Sequence, residues 1–375
     1  MRIHTELAFN QIESREEMSK MASCGRKLTR CILLIYIIFA QGFVAQNARA
    51  DREPPVTIDS LMAHLAFDKS YKKALLDGKI LSTGMPEMET LREELAVSAV
   101  MLVVRAPIEK VVASYLDRES FRQNDDIIAF NMIRSPQRTA LPVEEDFRAV
   151  GFTKDESQEV KKLIDFKGGE TFNFSLDEIK QFRGINPKDP AVLDKVSLLV
   201  RHILLKRYQS YIARGLEAVA PYERDRGKRS LPRRELTVAI GSTKLLENHF
   251  SDFYLSLLNY PESVGENVKN EFYWFKSKLD NRPVFQLRHY MADIHDNFAV
   301  VAEMQFYVGH TYNSMLTVIG CVPYEGGTVV FCTNRTFTDQ VAGFGSSLKR
   351  NVGRRRIEDS ISEYFAKLRT MLESE

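Results

Sequence analysis

The chain lacks most of the short patterns that announce chemistry. From residue 51 onward it has no Gly-rich phosphate loop, no Gly-x-Ser-x-Gly elbow, no His-Glu-x-x-His and no Cys-x-x-Cys pair. The usual signatures of nucleotide, serine-hydrolase, zinc-protease and dithiol chemistry are therefore missing. Cysteine is scarce, four in 375 residues, too few for a scaffold held by disulfides. There is no repeat period or low-complexity tract, which sets aside solenoid and disordered classes. The 52 basic and 50 acidic residues nearly cancel, so no whole-protein field points to nucleic acid and none is expected as a partner. No cofactor, metal or catalytic residue is assigned.

What is present is an ordinary globular composition, 44% hydrophobic and 27% charged, with enough chain for one large domain or two smaller ones. Only the N-terminus departs from it. Arg26, Lys27 and Arg30 precede the apolar run from Cys31 to Ala40, and Ala48-Arg49-Ala50 follows. That order is a secretory signal peptide, with cleavage expected near Ala50 and an exported, periplasmic or secreted product. A spanning helix needs about 20 apolar residues, and Gln41 and Gly42 interrupt this run. Residues 1 to 50 carry seven Lys or Arg and four Glu, so their removal turns a net charge of +2 into −1. Of the cysteines, Cys321 and Cys332 remain, either as a disulfide or as two small buried hydrophobes.

Four regions are expected: the leader 1–50, an N-terminal segment 51–134, a mainly helical insertion or subdomain 135–270, and strands plus a helix over 271–375. The run Val97 to Val104 reads as a strand, and Pro107 opens a helix carrying Ile108, Val111 and Val112. A second strand is expected over Asp126 to Ile133. Helices are expected over Ile58 to Leu76, from Asp189-Pro190 to Pro221, and over Ser242 to Leu258. Thr153-x-x-Glu156 and Ser175-x-x-Glu178 are capping boxes, and residues 224–234 form a basic loop.

The last hundred residues alternate with period two and then switch to helical spacing. A hairpin at Asp296-Asn297 would set Glu303 against Tyr290 and Gln305 against Arg288. Phe285, Leu287, His289, Met304 and Phe306 then share the opposite, apolar face, while Arg288 and Glu303 form an outward surface pair. A simple turn on Gly326-Gly327 would set Cys321 against Cys332. The final helix, Ser347 to Leu372, places Val352, Ile357, Ile361, Tyr364, Phe365, Leu368 and Leu372 on one face to bury. Lys349, Arg350, Arg354, Arg355 and Arg356 crowd its start. They are either a solvated charged face or a contact for an anionic membrane surface.

His289, Asp293 and His295, with His310 one strand away, are the nearest approach to a metal cluster, and an ordinary polar loop end explains them more simply. His289 stands alone among apolar side chains. It is either a core histidine with a hydrogen-bond partner or a polar anchor on a cavity wall.

The segment Val97 to Asp117, a strand ending in Arg105-Ala-Pro-Ile-Glu-Lys-Val-Val-Ala-Ser-Tyr-Leu-Asp117, resembles the opening of START-like, helix-grip lipid-binding domains. The terminal strands and helix are similar to their closing half. The resemblance implies a curved antiparallel sheet on a long C-terminal helix, an α+β fold, enclosing a lipid or other apolar small molecule. Tyr273-Trp-Phe-Lys276, Arg282-Pro-Val284 and Asn334-Arg-Thr-Phe-Thr-Asp339 resemble stretches of functionally unassigned exported bacterial proteins. The expected function is a non-enzymatic carrier with His289, Leu287, Met304, Phe306 and Phe365 against the ligand. An envelope-associated interaction protein with a solid core, or a hydrolase or cyclase using the same pocket, are the alternatives.

Overall fold

Alternating side chains from residue 268 onward build five consecutive antiparallel strands, β6 (Val268–Leu279), β7 (Arg282–His295), β8 (Phe298–Val308), β9 (Ser314–Tyr324) and β10 (Gly327–Phe337). The computed structural model describes residues 55–84, 94–116, 124–134, 143–339 and 346–374; the leader at 1–50 and Asp117 lie outside them. Three earlier strands, β1 (Leu81–Gly84), β2 (Glu94–Val104) and β3 (Ile127–Ile133), complete one sheet of order β1-β2-β10-β9-β8-β7-β6-β3. The fold is α+β.

Tyr290 pairs with Glu303 and Arg288 with Gln305, as the hairpin reading requires. A register shift between Leu287 and Arg288 then sets Leu287 against Tyr307, which lets Phe306 and Tyr307 join one core. The turn from β6 to β7 uses the left-handed pair Asp280 (φ 49°) and Asn281 (φ 59°), conformations that Asn and Asp tolerate best after Gly. Between β9 and β10 the turn is one step away from the expected register. Tyr324 pairs with Gly327, so Cys321 lies opposite Val330 and Cys332 opposite Ile319. Both thiols are free and buried on one sheet face. Gly320 is required there, since a Cβ would stand 2.1 Å from the Phe331 ring on the neighbouring strand.

One sheet face carries the helical middle of the chain. Before it come α1 (Ile58–His64) and α2 (Lys72–Leu76), two short helices where one was expected, with Ala66 at φ 58° between them. After β2 comes α3 (Ile108–Leu116). The middle region holds α4 (Ser157–Asp165), α5 (Leu176–Phe182) and α6 (Val192–Arg214). A small hairpin follows, β4 (Tyr222–Glu223) with β5 (Arg229–Ser230), then α7 (Pro232–Gly241), α8 (Lys244–His249) and α9 (Ser251–Asn259). Both capping boxes are in place. The basic loop is shorter than expected because Pro232 starts α7, whose Leu236, Ala239 and Ile240 are buried. The helix expected over 242–258 breaks at Phe250 into α8 and α9.

The long helix α6 supplies the centre of this layer. Its buried Val196, Val200, Ile203, Leu204, Tyr208 and Tyr211 follow three- and four-residue spacing. The helix ends at Gly215, at φ 55°, where a Cβ would meet the Tyr260 carbonyl at 1.8 Å. The helical layer and the sheet share a single apolar cluster that includes Leu287, Met291, Met304, Phe306 and Trp274, and residues 54–375 form one compact unit. Polar pins reinforce that join: Asn173 donates to the Val308 and Tyr312 carbonyls, and Arg224 reaches Asp339, Asn173 and Asn313.

The terminal helix α10 (Ser346–Glu373) lies on the other face. Phe365, Leu368 and Leu372 pack with Val100, Leu102 and Val104 of β2, Val330 and Cys332 of β10, Ile319 and Cys321 of β9, and Ile108, Val111 and Val112 of α3. Phe285, Leu287, His289, Met304 and Phe306 therefore point away from α10, which corrects the expectation that this apolar face meets the terminal helix and shares a ligand with its Phe365. The physical cause is that α6 covers the apolar face first. Period-two alternation tells two faces apart but not which partner covers each.

Candidate polar site beneath the terminal helix

His289 is closely packed on the face under α6. Its ring is fully buried, stacked on Phe272 at 4.3 Å and met edge-on by Tyr211 and Tyr260. Tyr211 Oη lies 3.0 Å from Nδ1 and Asn270 Oδ1 lies 2.7 Å from Nε2. The neutral tautomer with its proton on Nε2 satisfies both bonds, with the tyrosine donating and the asparagine accepting. Burial lowers the His289 pKa to about 3. The Tyr211 ring lies flat on Phe306 at 3.9 Å and the Met304 sulfur stands 3.5 Å from the same hydroxyl. Leu287, Met304, Phe306 and His289 thus meet one another under α6, while Phe365 stands alone on the far face.

Asp293 and His295 pair with each other at 2.7 Å, and His310 bonds Thr311 and the Pro283 carbonyl. Among the described residues no group of three or more His, Cys, Asp or Glu is placed to hold a metal ion.

The face under α10 is divided. Its half nearest α10 and α3 is apolar, as described above. Moving along the strands, the rows change character: Tyr290, Glu303, Thr317 and Asn334 lie side by side, and the next row holds Tyr273, Arg288, Gln305, Met315 and Thr336. These are central strands, and Gln286, Tyr290, Glu303, Gln305, Asn334 and Thr336 are all buried. A buried polar group needs partners, and most of these find them in two neighbouring hydrogen-bonded groups, one around Arg288 and Glu303 and one around Asn334, while Arg288 Nε is buried without a partner.

At the centre of the first group Arg288 Nη1 meets Glu303 Oε1 at 3.0 Å, with 13% and 11% of the two side chains exposed. Arg288 Nη2 donates to Gln286 Oε1 at 2.6 Å, Gln286 Nε2 to Tyr312 Oη at 2.8 Å, Tyr312 to Gln305 Oε1 at 2.5 Å, and Gln305 Nε2 to Glu303 Oε1 at 2.7 Å. The guanidinium also sits 3.9 Å above the Phe275 ring, a favourable face for a cation. Asn334 Nδ2 donates to Thr317 Oγ1 and Thr336 Oγ1 donates to Asn334 Oδ1.

Electrostatics follow from this enclosure. Burial works against the Arg288 charge, but Glu303 more than offsets it, so its pKa rises. Burial raises the Tyr290 and Tyr312 phenols, Tyr290 further through the Glu303 carboxylate; both stay protonated donors at neutral pH. The Arg288 and Glu303 charges balance each other in a site rich in donors and acceptors, and at its edge the exposed Glu271 carboxylate, opposite Tyr290, accepts from Tyr273 at 2.7 Å. The network reaches α10 through Tyr364, whose hydroxyl is raised to about 12 by burial and by the nearby Cys332 and Glu303. Tyr364 keeps 37% of its surface in solvent, and α10 itself packs mainly on β2 and β1, beside the network rather than over it.

Arg288 and Glu303 were expected to form an exposed pair, and the structure corrects that. Gln286, Tyr312 and Thr317 were not singled out, Tyr290 was named only as the register partner of Glu303, and Asn334 only within the stretch Asn334 to Asp339, at a strand end that could be a pocket mouth or a helix cap. The available signal was the row of polar side chains in strands too central to face water on that side.

Family models, curated proteins and solved structures were compared with the chain, and none matches it.

Proposed function

We propose that this protein binds an apolar small molecule or lipid that carries a neutral, hydrogen-bonding head, held between the sheet and α10. One observation carries the reading. Along one buried face, the apolar patch of Val100, Ile319, Val330 and Cys332, on which Phe365, Leu368 and Leu372 of α10 pack, adjoins the polar network of Arg288, Glu303, Gln305 and Tyr290. That order matches the two ends of an amphipathic molecule: hydrophobic lining supplies affinity and a few placed polar groups fix orientation. Strand order also supports the reading. The first long strand, β2, pairs with the last, β10, and the terminal helix follows directly, the arrangement implied by the helix-grip resemblance.

The head is neutral because the Arg288 charge is already balanced by Glu303 at 3.0 Å. A ligand carboxylate would have to compete with that partner and leave a buried charge uncompensated, which costs several kcal/mol, on the order of 3 or more. A hydroxyl, carbonyl or amide can join the network without that penalty.

Export, with cleavage near Ala50, belongs to the same proposal, resting on the basic, apolar and small-residue order of residues 26–50. N-terminal sequencing of protein recovered from outside the cytoplasm tests it; a product beginning at Met1 rejects it. For binding, purified protein is extracted with organic solvent and the extract analysed by mass spectrometry. A stoichiometric apolar compound with a neutral polar head is the expected result. An empty extract, together with no uptake of a fluorescent monoacylglycerol or sterol, rejects the proposal.

A further inference from the structure

The two halves of α10 are built for different surroundings. Its second half buries Phe365, Leu368 and Leu372 against the sheet. In its first half Leu348 is 72% exposed and Val352 46% exposed. The expectation that Val352 belongs to the buried stripe is therefore overturned. Leu348 and Val352 are four residues apart and share the outward face. Lys349, Arg355 and Arg356 are exposed beside them, three or four residues from Val352, so cations flank the apolar pair. Arg354 is turned inward, beside Glu358 at 3.6 Å and against Gly84 of β1. From Leu348 to Ser360 the helix carries five cations and two acids, although the chain as a whole is close to neutral.

Two exposed apolar side chains flanked by cations are costly in water and suited to an interface, where the apolar groups enter the acyl boundary and the cations meet phosphates. A nucleic acid would use the cations and leave Leu348 and Val352 wet. From this arrangement we infer that the outward face of α10, at Leu348, Lys349, Val352, Arg355 and Arg356, is a docking surface for an anionic phospholipid bilayer. Among the described residues no helix is long and apolar enough to cross a membrane, so this is surface attachment. The Asp359 carboxylate, one turn further on and also exposed, marks the end of the basic patch. The inference does not depend on the site beneath α10 being occupied, but it places that site close to a lipid source.

The test is co-sedimentation of the purified protein with vesicles of phosphatidylglycerol and phosphatidylcholine, against vesicles of phosphatidylcholine alone, over a range of salt. Binding to the anionic vesicles only, weakening with salt, is expected. The triple variant Lys349→Glu/Arg355→Glu/Arg356→Glu should bind at least about a hundredfold more weakly, from about 1 kcal/mol for each cation near a charged surface. Leu348→Ser should cost about tenfold while leaving the salt dependence intact, because it removes burial and no charge. All four positions are exposed, so unchanged thermal unfolding separates these effects from misfolding. Equal binding to neutral vesicles, wild-type binding by the triple variant, or full competition by inorganic phosphate would each overturn the inference. So would binding that is indifferent to Leu348→Ser, since a purely ionic patch would not involve the apolar pair.

Discussion

Arg288 and Glu303 lie 3.0 Å apart across β7 and β8, buried on the same sheet face as α10, and share the network with Gln286, Gln305 and Tyr312. Because both charges are withdrawn from water, removing one leaves the other uncompensated. Arg288→Met or Glu303→Leu alone should lower stability by about 3 to 5 kcal/mol, and the double variant should recover most of that loss. Denaturant titration of the four proteins closes the cycle. A single-variant loss below about 1 kcal/mol would describe an exposed pair instead.

His289 gives the fold an acid sensitivity of known sign. Its pKa is lowered by burial from 6.5 to about 3, and that of His310 from 6.5 to about 4. On acidification the unfolded chain takes up these protons near pH 6.5, whereas the folded chain resists until about 3 and about 4. The stability that the neutral rings retain above pH 6.5 is lost as pH falls toward those lower values, by about 1.4 kcal/mol per pH unit for each histidine. His289→Gln should flatten the stability profile between pH 6 and 4 by about one proton. An unchanged slope would mean that His289 is charged or solvated in the folded protein.

Arg224 joins the helical layer to the ends of the strands through Asp339 at 2.7 Å, Asn173 at 2.7 Å, Asn313 at 3.0 Å and the Gly169 carbonyl at 3.2 Å. A lysine keeps the charge but cannot present a planar fork in those directions. Arg224→Lys is therefore expected to cost about 2 to 3 kcal/mol by urea titration, and Arg224→Met more. A loss within about 0.5 kcal/mol, typical of an exposed site, would contradict the assignment.

Cys321 and Cys332 are buried, with both thiols pushed up by burial, Cys321 to about 12. The thiolate is the reactive form, so protein that begins at Asp51, and therefore lacks Cys24 and Cys31, should give no fast reaction with a thiol reagent at pH 8. Two equivalents should appear once denaturant is added, with or without reductant. Release of those equivalents only after reduction would show a disulfide.

Much of the fold was legible because period-two alternation is a local property. The hairpin of Tyr290 against Glu303, the strand at Val97 to Val104 and both capping boxes depend on a few neighbouring residues. The assignment of faces depends on distant chain. Nothing near Phe306 states that Tyr211, ninety-five positions earlier, will lie on it at 3.9 Å, and once it does, α10 must take the opposite face. The candidate site was misread for the same reason. Arg288, Glu303 and Gln305 look like a wet exterior until both faces are known to be covered. The two readings of His289 differ only in whether partners exist, and Tyr211 comes from α6, an element that local pattern does not connect to β7.

The most direct measurement of the binding proposal is residue-level photo-crosslinking with a diazirine-bearing monoacylglycerol, read by tandem mass spectrometry. Label should concentrate on Glu303, Thr317, Cys332 and Tyr364, and diminish in Arg288→Met and Glu303→Leu proteins that remain folded. Label confined to His289, Leu287, Met304 or Phe306, or spread without saturation over the surface, would contradict a site between the sheet and α10.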